Sequence, residues 1–305
     1  MARWFVALML LVAMFFCGYA LIHSGTYGLT LFVFAPALMG GIGSWVVRPK
    51  SGTEAAGAGA VTAAIVLCAL LPLKMEGAVC ILMALPLALP LGAFGGLVAY
   101  KLTSGGPVPG AAMLLLLPIG SLTWDIKAPP PVFEVRSSIE IAATPERVWK
   151  HVVTFSEIPE PREWYFHTGL AYPIRARIEG TGPGAVRYCE FSTGPFVEPI
   201  EVWDEPRLLS FRVTQNPAPM QEWSPYAHIE PRHLHGYLVS EHGQFRLTEL
   251  PNHHTLLEGT TWYRHGLWPA QYWRWWSDAI IHRIHMRVLE HIQTLAEGDG
   301  PQDPH

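Results

Sequence analysis

The chain has 305 residues, 50% of them hydrophobic and only 15% charged, with a formal net charge of −4 at pH 7. That length permits two domains, and the charges divide unevenly between them. Residues 1–127 hold six Lys/Arg against three acids, whereas the remainder holds 15 basic and 22 acidic residues, a balance that argues against nucleic-acid binding and against attraction to an anionic membrane surface.

The first 127 residues contain five apolar runs, at 4–22, 28–47, 57–73, 77–100 and 107–124, none with an internal charge. Each is near the ~20 residues that cross a bilayer, which predicts an all-α transmembrane domain. The first run is not followed by a small-residue cleavage site, so it is expected to remain as a helix. The last is short and carries Pro107, Pro109 and Pro118. If all five cross, Arg3, Arg48, Lys50 and Lys101 share one side, and the positive-inside rule puts the C-terminal half on the non-cytoplasmic side of a bacterial inner membrane. If 107–124 does not cross, that half is cytoplasmic. Small residues, among them the Gly92-x-x-x-Gly96 pair, suit close helix packing, and the absence of ionisable groups inside the runs favours an anchor over a transporter.

A proline-rich linker, 128–132, leads into the second domain, expected over 133–297 with a tail at 298–305. Residues 133–142 alternate as a strand. Thr144-Pro145-Glu146 is a helix start, with Val148, Trp149, Val152 and Phe155 giving the short helix an apolar face. Strands are expected next at 174–179, 185–193, 196–204, 208–214, 237–241, 244–250 and 255–263, with a hairpin turn at Gly194-Pro195. From 270 the apolar residues recur at steps of three and four through Trp273, Trp276, Ile280, Ile284, Val288, Ile292 and Leu295, and Gly298 gives the stop. Such a helix, about 28 residues and roughly 40 Å long, needs a sheet to bury its stripe. The fold class is therefore α+β: a curved antiparallel sheet around one long C-terminal helix, preceded by membrane helices.

The opening run from Ile139 to Trp149, the Gly184-Ala185-Val186-Arg187 strand, Glu198 on the next strand and the long final helix resemble the START-like, or SRPBCC, superfamily of polyketide cyclase/dehydrase-like and lipid-transfer domains. The resemblance covers about 133–297 and implies a helix-grip fold whose interior holds an apolar ligand. Fold alone implies no reaction. A narrower likeness, to bacterial SRPBCC proteins of unassigned function, rests on 191–196 and 281–285.

Within that frame Glu198 shares a strand face with Phe196, Ile200 and Val202, and a tight turn sets Phe191 opposite it, so that Arg187, Cys189 and Phe191 also face inward. A carboxylate among apolar residues needs a partner, and Arg187 is the nearest long cation. The pair either satisfies itself or orients a polar group of a ligand. A partly hydrated site is expected, in which removing Glu198 costs no more than roughly 1 kcal/mol. Phe211, Trp262, Trp273, Trp276, Ile280 and Ile284 complete the expected ligand-binding set.

Asp278, His282 and His285, at i, i+4 and i+7, have a spacing that could present a metal, with 230–235 as the source of a further ligand. Simple pairing on the helix surface explains them as well, and no metal or other cofactor is expected. Cys189 has no positioned base. No nucleophile elbow, phosphate loop or CxxC motif is present. The aromatic loop 216–232 suits a lid over the cavity or a surface touching lipid.

The sequence thus favours a membrane-anchored domain binding a lipid or other hydrophobic small molecule, with the membrane as its surrounding and no nucleic-acid partner. Two other readings stay open. One is a cyclase or dehydratase with Glu198 as acid/base and Arg187 polarising a carbonyl. The other is a module that recognises another envelope protein, whose identity the sequence does not name.

Overall fold

A computed structural model describes residues 2–104, 111–226 and 229–298. The chain forms two compact units. The first comprises Met1–Pro130 together with Glu222–His233 and Gly266–Trp273, and the second comprises the rest. Two segments that the sequence assigns to the second domain therefore belong to the first.

The helical unit contains α1 (Ala2–Ser24), α2 (Ala35–Val47), α3 (Gly52–Ala69), α4 (Ala78–Ser104) and α5 (Ala111–Lys127). Among the described residues, four helices are long and apolar enough to cross a membrane: Trp4–Ser24, Thr30–Val47, Gly52–Ala69 and Ala78–Ser104. The fifth predicted run appears as the 17-residue α5, and its predicted start at 107–110 lies outside the described residues. A π-helical turn, Thr30–Phe34, leads into α2. There the Ala35 N–H reaches back to the Thr30 carbonyl just before Pro36, which has no N–H to give. The third helix begins five residues earlier than its apolar run. Ser51 caps it by accepting from the Glu54 N–H at 3.2 Å, and Glu54 accepts from the Lys50 N–H at 2.7 Å. Apolarity hides that start, whereas the Ser51-x-x-Glu54 spacing marks it.

Glycines let α2 and α3 touch the backbone of α4. A Cβ on Gly40 would lie 2.1 Å from the Gly92 carbonyl oxygen, and one on Gly96 would lie 2.2 Å from that of Ala55. The Asp125 carboxylate of α5 accepts from the Leu29 and Thr30 N–H groups at 2.8 and 2.9 Å, so the C-terminal end of α5 meets the entry to α2.

The second unit is a curled antiparallel sheet with a long helix. Its elements are β1 (Val132–Ile141), α6 (Pro145–Val153), β2 (Pro173–Glu179), β3 (Val186–Phe191), β4 (Gly194–Asp204), β5 (Leu208–Arg212), β6 (Leu238–Glu249), β7 (Thr255–His265) and α7 (Ala270–Gly298). The seven strands lie in the order β1-β7-β6-β5-β4-β3-β2. The two strands expected at 237–241 and 244–250 are one, β6, with a register shift between Ser240 and His242. Ile141, Val148, Val152, Leu209, Leu257, Leu289 and Ile292 have essentially no exposure and form the centre of the core. On α7 the buried residues of this stripe are Ile281, Val288, Leu289, Ile292 and Ala296, whereas Ile280 and Ile284 are half-buried. The buried stripe is thus rotated by about one residue from the expected one.

Close contact leaves no room for a side chain at the α3–α4 crossing, where a Cβ on Gly92 would lie 2.6 Å from the Ala63 Cβ and 2.8 Å from the Gly59 carbonyl oxygen. Gly92→Leu is expected to lower the thermal midpoint of the detergent-solubilised chain, by an overpacking penalty of about 1–3 kcal/mol. Gly57→Ala, where a Cβ meets nothing within 4 Å, should leave the midpoint unchanged or raise it.

Candidate ligand-binding site

The β3–β4 hairpin carries the polar centre of the second unit. Its turn is Ser192-Thr193, with Phe191 paired to Gly194, Cys189 to Phe196 and Arg187 to Glu198. The sequence reading, which set the turn at Gly194-Pro195 and Phe191 opposite Glu198, is corrected on this point. Gly194 has φ +135°, a conformation open to glycine, and this lets the strand begin there. The true register brings Arg187 directly across from Glu198. Val202 also departs from its predicted face. A register shift between Ile200 and Val202 turns Val202 outward, 41% exposed, and packs Trp203 against the core.

Arg187 and Glu198 form a buried ion pair through Nη1 and Oε2, their side chains only 2% and 8% exposed. The hydrated surroundings expected for Glu198 are not what the structure shows. Arg187 Nε donates to the Val153 carbonyl at 3.3 Å. The guanidinium carbon lies 5.5–5.7 Å from the ring centres of Phe155, Phe211 and Phe245. Among the described residues, its Nη2 has no hydrogen-bond partner. Burial pushes the Glu198 carboxyl above the usual carboxylate range, and the attraction of Arg187 offsets this only in part. Burial, reinforced by the Glu198 charge, pushes the neighbouring Cys189 thiol up to about 12, which keeps it an unreactive core residue.

Of the other predicted ligand-binding residues, Phe211 is buried and its ring lies over Gly243, where a Cβ would meet it at 2.5 Å. Phe191 stacks edge-on against Phe196 at 4.8 Å. Trp262 is not with them. Leu257 and Tyr263 on β7 are fully buried, and two-residue alternation puts Trp262 on the opposite face, where its indole N–H donates to Glu134 at 3.0 Å. Trp273 belongs to the helical unit, its ring 4.7 Å from that of Phe32. Trp276 is half-buried beside Trp275. Phe155 and Phe245 lie outside the expected ligand-binding set, although the sequence marks Phe155 as part of the apolar face beginning at Val148.

The Asp278, His282 and His285 stripe does not assemble as a metal centre. Asp278 accepts from the Tyr263 hydroxyl at 2.5 Å and from Arg274 Nε at 3.0 Å. His282 and His285 both reach the Ser137 hydroxyl, at 2.7 and 3.2 Å, and His285 also bonds the Thr261 hydroxyl at 2.8 Å. Burial and the neighbouring His282 lower the His285 pKa to about 4, so it stays neutral. The donors that do converge, among the described residues, are Glu76, Cys80, Glu222 and His233 of the helical unit. Burial raises the Glu76 pKa to about 7, with His233 pulling the other way.

Residues 132–261 match the polyketide cyclase/dehydrase and lipid transport family. No curated protein matches the chain. Among solved structures, XoxI from Bacillus cereus is 18% identical over 54% of this chain and 96% of its own, with a TM-score of 0.35. Truncated norcoclaurine synthase from Thalictrum flavum is 10% identical over 55% and 96%, with a TM-score of 0.36. The Zhui aromatase/cyclase from Streptomyces sp. R1128 is 16% identical over 55% and 94%, with a TM-score of 0.33.

Removing one member of a buried ion pair strands the other. Glu198→Ala is expected to destabilise the protein by about 3–5 kcal/mol, and Glu198→Gln by less, because the amide still accepts from Arg187. Thermal or denaturant midpoints of the two variants measure this. Losses below about 1 kcal/mol in both would show that water reaches the pair.

Proposed function

We propose that the second unit binds a lipid or another apolar small molecule bearing one polar acceptor, and that the helical unit anchors it in a membrane. The Nη2 of Arg187, without a hydrogen-bond partner among the described residues, carries this reading. A guanidinium N–H that is buried without an acceptor is costly, and a carbonyl, carboxylate or phosphate oxygen of a ligand would satisfy it. The aromatic rings around the guanidinium suit the apolar part of such a ligand. The family match at 132–261, which includes lipid transport, agrees with this reading. Anchoring gives access to ligands that partition into the bilayer.

The helical unit supports five crossings with the soluble half on the non-cytoplasmic side. Asp125, at the end of α5, bonds Leu29 and Thr30 in the α1–α2 connection. The Trp268 N–H donates to the Tyr27 carbonyl in the same connection, and the Ala78 N–H, at the start of α4, donates to the Trp223 carbonyl. These ends lie opposite Arg48, Lys50 and Lys101, the positively charged ends that the positive-inside rule assigns to the cytoplasm. A C-terminal alkaline phosphatase fusion in a bacterial host should be active and a green fluorescent protein fusion dark. The reverse pair of results would put the soluble half in the cytoplasm.

Native mass spectrometry of the detergent-purified full chain, followed by solvent extraction, should find an apolar molecule bound near stoichiometrically. Arg187→Met combined with Glu198→Leu removes both charges and is expected to leave stability within a few kcal/mol, since buried pairs are often replaceable by apolar residues. That variant should lose the molecule. Equal occupancy in the double variant would refute Arg187 as the polar anchor. Chemical conversion of the bound molecule, lost in Glu198→Gln, would favour the cyclase or dehydratase reading.

A further inference from the structure

The helical unit contains a second polar cluster, and the apolar-ligand reading makes no use of it. Glu76 precedes α4, Cys80 lies in its first turn, and Glu222 and His233 come from the segment inserted between β5 and β6. One donor atom from each lies within 4.8 Å of all the others. His233 Nε2 is 3.1 Å from Cys80 Sγ and 3.2 Å from Glu222 Oε1, and those two are 2.7 Å apart. The opposite ring nitrogen, Nδ1, is 3.3 Å from Glu76 Oε2. We propose that Cys80, Glu222 and His233, backed by Glu76, form a binding site for one divalent transition metal of the Zn2+ class.

Three independent features point the same way. The carboxylates and the imidazole are buried: the side chains of Glu76 and His233 are 9% and 10% exposed and that of Glu222 not at all, with Cys80 half-buried beside them. Its polar atoms are nonetheless left over, since Glu76 Oε2, Glu222 Oε2 and His233 Nδ1 have no hydrogen bond among the described residues. Two carboxylates share that space, and the only salt-bridge partner of either among the described residues is the one imidazole. A bound cation would balance both. Close packing also holds the donors together. A Cβ on Gly77 would fall 1.7 Å from Glu222 Oε2, so glycine there makes room for the carboxylate. The Ala78 N–H holds the strap through the Trp223 carbonyl at 2.9 Å. Tyr27 donates its hydroxyl to Glu76 at 3.2 Å and sets its ring edge-on to His233.

The donor chemistry selects the metal. Magnesium and calcium take oxygen ligands, whereas thiolate, imidazole and carboxylate together suit zinc and its neighbours. With metal–ligand distances of about 2.0–2.3 Å, the edges of a tetrahedral site run to roughly 3.3–3.7 Å. The donors around His233 Nε2 are already within about 1 Å of that spacing. Glu76, behind the ring, occupies the place of the carboxylate that orients a ligating histidine through its other nitrogen.

The test uses the untagged full chain in detergent, stripped with a chelator and titrated with Zn2+ alone. Calorimetry and elemental analysis should give one tightly bound equivalent per chain. Co2+ in its place should show a thiolate-to-metal charge-transfer band and the intense d–d absorption of a tetrahedral site. Cys80→Ser and His233→Ala should each abolish the tight equivalent and the charge-transfer band. Glu76→Gln should weaken binding by about 10–100-fold. Cys189→Ser and His282→Gln should bind as the parent does. No tight equivalent, or a Co2+ spectrum without thiolate character, overturns the proposal. The parent spectrum decides this even if a variant fails to fold. The outcome is independent of whether the second unit retains an apolar molecule.

Discussion

A helix of 29 residues with an apolar stripe along its length cannot stand alone in water, and the architecture of the second unit follows from that constraint. Helical propensity alone does not hold such a segment, so tertiary burial must. Leu289 and Ile292 reach zero exposure because residues from β1, β5, β6, β7 and α6 converge on them. The sheet has to curl to do this, and its alternation then divides every strand into a covered face and an open one. On β7 that division separates Tyr263, which faces the helix and bonds Asp278, from Trp262, which bonds Glu134 outside.

Against that apolar requirement the sheet carries one buried charge pair. Arg187 and Glu198 sit opposite each other in adjacent strands, and the pairing register brings the two charges together. A core built only for stability gains little from such a pair, since apolar residues of similar volume do as well. Retaining it is easier to understand if the guanidinium has a further task. The Nη2 without a hydrogen-bond partner among the described residues, and the aromatic rings around it, are what set this pair apart from one that satisfies itself.

Much of this fold was legible from local pattern. The alternation of 133–142, the Thr144-Pro145-Glu146 start and the periodicity from 270 onward are short-range signals, and each corresponds to an element. The inward face of β3 and β4 was also readable, because Arg187, Cys189, Phe196, Glu198 and Ile200 alternate cleanly. Features that depend on one residue more or less were not. The two-residue turn at Ser192-Thr193 moves the pairing by four positions and so leaves the faces as they were, whereas the bulge after Ile200 shifts the downstream residues by one, and Val202 and Trp203 exchange faces as a result. Burial of Trp273 against Phe32, and the meeting of Cys80 with residues 142 and 153 positions away, leave no local trace at all. Their residue types are ordinary where they stand, and only the folded chain gives them neighbours.

The assignment of Glu222–His233 and Gly266–Trp273 to the helical unit has a consequence for how the protein comes into being. A ribosome delivers α1 to α5 first, yet the parts that complete their packing arrive only after β5 and again after β7. The helices therefore wait, partly unfinished, while most of the sheet is synthesised. For the same reason the sheet and its helix are not a cassette that recombination could lift out at one boundary and join to another helical unit. Any such exchange would carry away two pieces of the unit left behind, so the two halves are bound to be inherited together.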